Sequence, residues 1–323
     1  MRRIVFRLGL FESEADRAYS ERALELLAHA LVAANVAYLR AHPRTPTLYE
    51  AGVRLDASRS RCPRSEDEWQ GIASILESGA ANNVSLACWR CAERIVAGES
   101  VEPALCWAPG GGGLYHVSLS TRDGTIEDPS AILFARAAGA PMSPVIGRPD
   151  LHTSASRIAL ELQLFRREAS RSYSERVLSI LLGALTAANV LYLRAYPSAP
   201  SLYRAGVRYR AERFPREEWR GIAALHEERE GDCEDLACAR SAELIARGGR
   251  AARPVFRWRR LGRLSVYHIL VRHSDGSIED PSLLLGMGAR GATLADLGME
   301  GARSRARGAR PRAQGERTSW ERC

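Results

Sequence analysis

Gly231-Asp232-Cys233-Glu234-Asp235 is a polar turn that runs straight into an apolar helical pattern beginning at Leu236 and Ala237. A cysteine in the first turn of a helix has unpaired backbone N–H groups and the positive end of the helix dipole beside it, so the position predicts a stabilised thiolate and a lowered pKa. Downstream, His268 stands in the strand-like stretch Val266-Tyr267-His268-Ile269-Leu270, and Asp280 follows the turn Ser274-Asp275-Gly276. Cysteine, then histidine, then a carboxylate is the order of nucleophile, base and base-orienting acid in a thiol–imidazole–carboxylate triad. The candidate catalytic residues are therefore Cys233, His268 and Asp280, and the chemistry is acyl transfer through a thioester. A two-residue Asp275-Gly276 turn would put Glu279 on the sheet face of His268, whereas a three-residue loop with glycine in the left-handed region would put Asp280 there. Of the acids around the cysteine, Asp232 fits a helix N-cap and Asp235 the third helical position of a capping pair. Glu234 is expected to turn away anions or to hold an amine.

The combination of Gly231-Asp232-Cys233, the helix end Ala246-Arg247-Gly248-Gly249, the segment Ala252-Arg253-Pro254-Val255, His268 and Asp280-Pro281-Ser282 resembles the bacterial transglutaminase-like (papain-type) cysteine enzymes. The resemblance covers roughly residues 217–285 well and the rest of the C-terminal half more loosely. It implies an α+β fold with the nucleophile helix packed on an antiparallel sheet, and it favours Asp280 over Glu279. It does not imply a substrate, since members hydrolyse peptides or isopeptides, join glutamine to amines, or have lost activity.

The elements that would position this triad are written twice. Tyr19-Ser20-Glu21-Arg22 returns as Tyr173-Ser174-Glu175-Arg176, Ala33-Ala34-Asn35-Val36 as Ala187-Ala188-Asn189-Val190, and Glu68-Trp69 with Gly71-Ile72-Ala73 as Glu218-Trp219 with Gly221-Ile222-Ala223. Leu86-Ala87-Cys88 returns as Leu236-Ala237-Cys238, and His116 with Asp128-Pro129-Ser130 as His268 with Asp280-Pro281-Ser282. Each copy opens with an apolar strand (Ile4–Phe11, Ile158–Phe165), then a long helix from a Ser20 or Ser174 cap. A proline-rich link, the Trp segment, the nucleophile-position helix and antiparallel strands complete it. Two tandem α+β units follow: a degenerate copy over 1–138, a linker over 139–156, a catalytic copy over 157–299, and a disordered arginine-rich tail over 300–323. The first copy has Asn83 opposite Cys233, so it is expected to be catalytically dead. Its retention of His116 and Asp128 gives the histidine–aspartate pair a structural role as well. Trp69 and Trp219, kept in both, are expected to pack in the core. Arg257, Arg259, Arg260 and Arg263 precede His268 only in the second copy and would form a basic rim.

Of the +8 net charge, seven arginines against Glu316 and Glu321 place +5 beyond residue 300, so the folded part is only mildly basic. Without interleaved aromatics, nucleic-acid binding is expected at most through that tail. Seven cysteines and no leader pattern at the start argue against a disulfide framework, and Cys88-Trp89-Arg90-Cys91 lacks a second ligand pair for zinc. No uninterrupted apolar run reaches membrane length. The expectations are a cytoplasmic location, no metal or organic cofactor, and a protein or peptide substrate. Hydrolysis is favoured over amine transfer because no amine site is specified. The rival is a non-catalytic assembly or scaffold protein that uses both units as binding modules.

Overall fold

The computed structural model describes residues 2–11, 16–56, 66–107, 114–138, 152–153, 157–164, 171–212, 217–261 and 264–288. The fold is mixed α and β. The first copy runs β1 (Arg2–Arg7), α1 (Arg17–Ala41), β2 (Arg54–Leu55), β3 (Asp67–Gln70), α2 (Ile72–Ser78), β4 (Ala80–Ala81), α3 (Asn83–Val96), β5 (Val101–Trp107), β6 (Leu114–Thr121), β7 (Ile126–Glu127) and α4 (Pro129–Ala138). After β8 (His152–Thr153), the second runs β9 (Arg157–Leu162), α5 (Arg171–Ala195), β10 (Arg208–Tyr209), β11 (Glu218–Arg220), α6 (Ile222–Glu228), β12 (Glu230–Gly231), α7 (Cys233–Gly248), β13 (Ala252–Leu261), β14 (Leu264–His273), β15 (Ile278–Glu279) and α8 (Pro281–Leu284). The tail, most of the 139–156 linker, Arg263 and the side chains of Arg259 and Arg260 lie outside the described residues. Of that linker, β8 pairs antiparallel with β6.

The two copies exchange their first strands. One four-stranded sheet has the order β11-β1-β9-β3. Its centre is the antiparallel pair β1 and β9, with Val5 opposite Ala159. Each of these strands then runs parallel to the Trp strand of the other copy: β1 to β11, with Phe6 opposite Trp219, and β9 to β3, with Leu160 opposite Trp69. Phe6 and Trp219 meet edge to face at 5.5 Å.

Two repeated motifs are explained at this seam. The buried Asn35 and Asn189 each accept, through Oδ1, the backbone N–H of the first residue of α2 or α6: Ile72 at 3.1 Å and Ile222 at 2.9 Å. A Cβ on Gly71 would meet Leu162 of the exchanged strand at 2.7 Å, and one on Gly221 would meet Leu8 at 3.1 Å. Glycine at both positions gives the other copy's chain room to pass close.

Helices α1 and α5 lie antiparallel, Tyr19 meeting Tyr192 at 5.7 Å and Tyr38 meeting Tyr173 at 6.2 Å. Their buried leucines, including Leu24, Leu27, Leu178 and Leu181, join β1, β9, Trp69 and Trp219 in one core drawn from both copies. Both helices are 25 residues long and, by length and composition, apolar enough to cross a membrane. In this fold that apolar surface is packed inside, against each other and the strands. Their starts differ from the sequence expectation: α1 begins at Arg17 and α5 at Arg171, one turn before the expected caps. Ser20 is instead buried and accepts the Phe11 N–H at 2.8 Å, tying the helix to the chain leaving β1.

Candidate active site

Cys233 stands at the head of a helix. It is the first residue of α7, which packs on the antiparallel sheet β13-β14-β15. Helix α7 starts where it does because Asp232 and Asp235 form a capping box, Asp235 Oδ2 accepting the Asp232 backbone N–H at 3.2 Å. Asp235 is fully buried, and its Oδ1 also takes the Arg220 backbone N–H of β11 at 2.7 Å, pinning the head of the helix to the exchanged sheet. A Cβ on Gly231 would run into Leu225 at 2.4 Å and Asp235 at 3.1 Å, which is why the residue two before the cysteine is glycine.

The hairpin β14–β15 sets the base. Val271 faces Glu279 and Arg272 faces Ile278, leaving the loop Ser274-Asp275-Gly276 with Gly276 at φ +85°. Asp280 therefore lies diagonal to His268, and His268 Nε2 stands 3.0 Å from Asp280 Oδ2. Asp280 is also the N-cap of α8, its Oδ1 accepting the Leu283 N–H at 3.2 Å, and Pro281 takes the first helical position, where a missing N–H costs nothing. An Nε2–H donated to the carboxylate leaves Nδ1 as the ring's proton acceptor. Glu279 is engaged elsewhere, with Arg240 at 2.8 Å, His273 at 2.9 Å and Tyr203. Its counterpart Glu127 holds Arg90 and Tyr49 in the same way.

The first copy shows where the residue at the head of the helix reaches. Asn83, the first residue of α3, hydrogen-bonds through Nδ2 to His116 Nδ1, while His116 Nε2 is 3.0 Å from Asp128 Oδ2. Burial works to raise Asp128, but hydrogen bonds from His116 and Ser130 outweigh it and hold the carboxyl below its ordinary range. In the second copy α7 packs on β14 as α3 packs on β6, and the hydrogen bond of the Cys233 sulfur goes to Glu234.

The electrostatics of the thiol differ from the sequence expectation. Burial, then the carboxylates of Glu234 and Asp232, push Cys233 well above the usual thiol range, opposed by the Ile269 N–H. Its S–H donates to Glu234 Oε2 at 2.9 Å. Glu234 is only 4% exposed. The helix N-terminus is thus outweighed, and the surroundings favour the protonated thiol. Asp232 is pushed up by burial and by Glu234, and Asp235 by burial against the pull of Arg220. Glu234 does not reach outward as an amine or anion filter; it lies buried against the thiol.

Sequence reasoning missed the hub behind this helix. The guanidinium of Arg220 meets Glu212 at 2.7 Å, Glu228 at 2.8 Å, Glu218 at 3.2 Å and Asp235 at 3.2 Å. The signal was available as a set of differences between copies: Gln70, Ser78, Val84 and Ser85 stand where the second copy has Arg220, Glu228, Glu234 and Asp235. Trp219 and Trp69 are buried core residues, and Cys88, Cys91 and Cys238 are buried thiols. Arg257 faces His268 across the β13–β14 ladder. No known family model, curated protein or solved structure matches the chain.

Proposed function

We propose that the second copy is a transglutaminase-like cysteine acyltransferase or hydrolase acting on an amide or isopeptide bond through Cys233, His268 and Asp280, and that the first copy is its non-catalytic counterpart. One observation carries the reading. His268 is oriented by Asp280 at 3.0 Å on the strand against which the Cys233 helix packs, and in the first copy the residue equivalent to Cys233, Asn83, reaches Nδ1 of the equivalent histidine. The proton logic follows from the raised thiol. Glu234 holds the S–H at rest, and His268 Nδ1 takes the proton as the thiolate attacks the amide carbonyl carbon. The C–N bond breaks as the imidazolium returns that proton to the leaving amine, and the thioester is resolved by water or an amine. Asp280 stabilises the imidazolium between the two steps. Hydrolysis is the favoured outcome.

Intact-mass labelling with iodoacetamide near neutral pH tests it. Wild type is expected to label at Cys233 in spite of its raised thiol, with loss of that labelling in Cys233→Ala and a slowing of at least about tenfold in His268→Ala. Labelling of Cys233 that is unchanged in His268→Ala would overturn the proposal. A scaffold role for both copies is the second reading, favoured by the strand exchange that makes them one body; it predicts that latter result.

A further inference from the structure

We infer that the first copy positions the nucleophile of the second: Arg7, carried on the exchanged strand β1, balances the acidic cluster around Arg220 that holds the head of the Cys233 helix. The inference rests on the proposed function for its consequence but not for its measurement.

Strand β1 lies directly beside β11, Arg7 being the register partner of Arg220. The Arg7 carbonyl accepts the Gly221 N–H at 2.7 Å, so its backbone is fixed next to the hub. Its guanidinium pairs with Glu228 and lies 3.8 Å from Glu218 and 4.0 Å from Glu227. Those first two carboxylates are also held by Arg220. Arg157 of β9 adds a third cation at Glu218. Without these arginines, Arg220 alone would face Glu212, Glu218, Glu228 and Asp235, with Asp232 and Glu234 just beyond. A single ion pair at this exposure is worth little. The weight of Arg7 lies in what it leaves Arg220 free to do, which is to hold Asp235 and so the first turn of α7.

A comparison within the chain makes the case specific. The residue equivalent to Arg7 on the other exchanged strand is Glu161, and it faces the first copy's Trp strand, where the hub is Gln70. Gln70 Nε2 is 3.4 Å from Glu161, its backbone N–H goes to Ser85 at 2.8 Å, and Ser78 stands in place of Glu228. The exchanged strand thus carries a cation toward the copy with the cysteine and acidic cluster, and an anion toward the copy with neither. The strand residue and the cluster it faces differ together. A retained dead copy gains a reason on this account: beside Arg220 it supplies an arginine at the position where the active copy's own first strand bears Glu161.

Removing the Arg7 charge leaves Glu228 and Glu218 to draw on Arg220. Asp235 is then less well neutralised, and the potential at the cysteine becomes more negative, so the pH midpoint of Cys233 alkylation rises. In the full chain, Arg7→Gln is expected to raise that midpoint by about half a pH unit, about threefold slower labelling at neutral pH. Arg7→Lys is expected to restore it. Glu228→Gln relieves the same competition and is expected to lower the midpoint, a shift of opposite sign that stands as the test if Arg7→Gln does not fold. Arg3→Gln is the control, since Arg3 lies on the same strand but pairs with Glu66 and Glu68. An unchanged midpoint in folded Arg7→Gln and Glu228→Gln, or an equal shift in Arg3→Gln, would overturn the inference. The midpoint of a thiol is measurable whether or not the protein turns over a substrate, so this failure is distinct from loss of the His268 dependence.

Discussion

The thiol of Cys233 is set by a contest between a helix N-terminus and three things that favour its proton: burial, Glu234 and Asp232. Position in a sequence shows only the first. Cys233, His268 and Asp280 stand out in the sequence because their order is the one the proposed triad needs, and because the second copy's cysteine stands where the first has Asn83. Hairpin arithmetic left Glu279 and Asp280 both open, the family resemblance favours Asp280, and the three-residue loop Ser274-Asp275-Gly276 puts Asp280 beside His268. Glu234 was visible as a charge but not as a contact, since a side chain at the second position of a helix can point to solvent or fold back on the first. Its effect has a definite sign. Glu234→Gln removes the carboxylate that both repels the thiolate and accepts the S–H, so the midpoint of Cys233 alkylation should fall by about one pH unit, giving about tenfold faster labelling at neutral pH. Rates of iodoacetamide labelling from about pH 6 to about pH 11, past the usual thiol range, check it; a midpoint that stays or rises would mean that Glu234 does not set the thiol.

At the scale of elements, alternation and helical spacing located the strands and helices, but not which copy each first strand would join. The reason is physical. β1 and β9 are near twins, as are β3 and β11, so the apolar pattern that fixes register is satisfied equally within a copy and across copies. What discriminates lies in the third dimension: the antiparallel contact of α1 with α5, and the glycines at 71 and 221 that admit the other copy's chain. The exchange has a measurable consequence. Phe6 is fully buried against Trp219, so Phe6→Ala should cost about 3–5 kcal/mol, as for a large aromatic removed from a core. Although the substitution is in the first copy, the loss of amide hydrogen-exchange protection should be greatest at Trp219, Arg220 and Gly221 of the second. Protection lost only among residues of the first copy would argue that β1 belongs to its own unit in solution.

At the scale of the whole molecule, a tandem repeat invites the expectation of two transitions, one per copy, and the structure argues for one. Two smaller cores do belong to single copies, around Leu48, Ile72 and Trp89 in the first and around Leu202, Leu225 and Leu236 in the second. Between them lies the shared core, which takes both first strands, both long helices and both Trp strands. Neither copy can keep its Trp strand paired once the other has unfolded, because the partner strand leaves with it. Each satellite core is too small to offset the chain entropy of ordering a copy alone. Leu27 and Leu181 occupy equivalent, fully buried positions on α1 and α5. Replacing either with alanine should cost about 3–5 kcal/mol by cavity formation. In calorimetry, both variants are expected to lower the same single transition and by similar amounts. Two separable peaks, with Leu27→Ala moving one and Leu181→Ala the other, would show that the copies unfold independently. The coupling of Arg7 to Cys233 would then lose its physical path, because a strand free to leave β11 at little cost could not hold a charge beside Arg220.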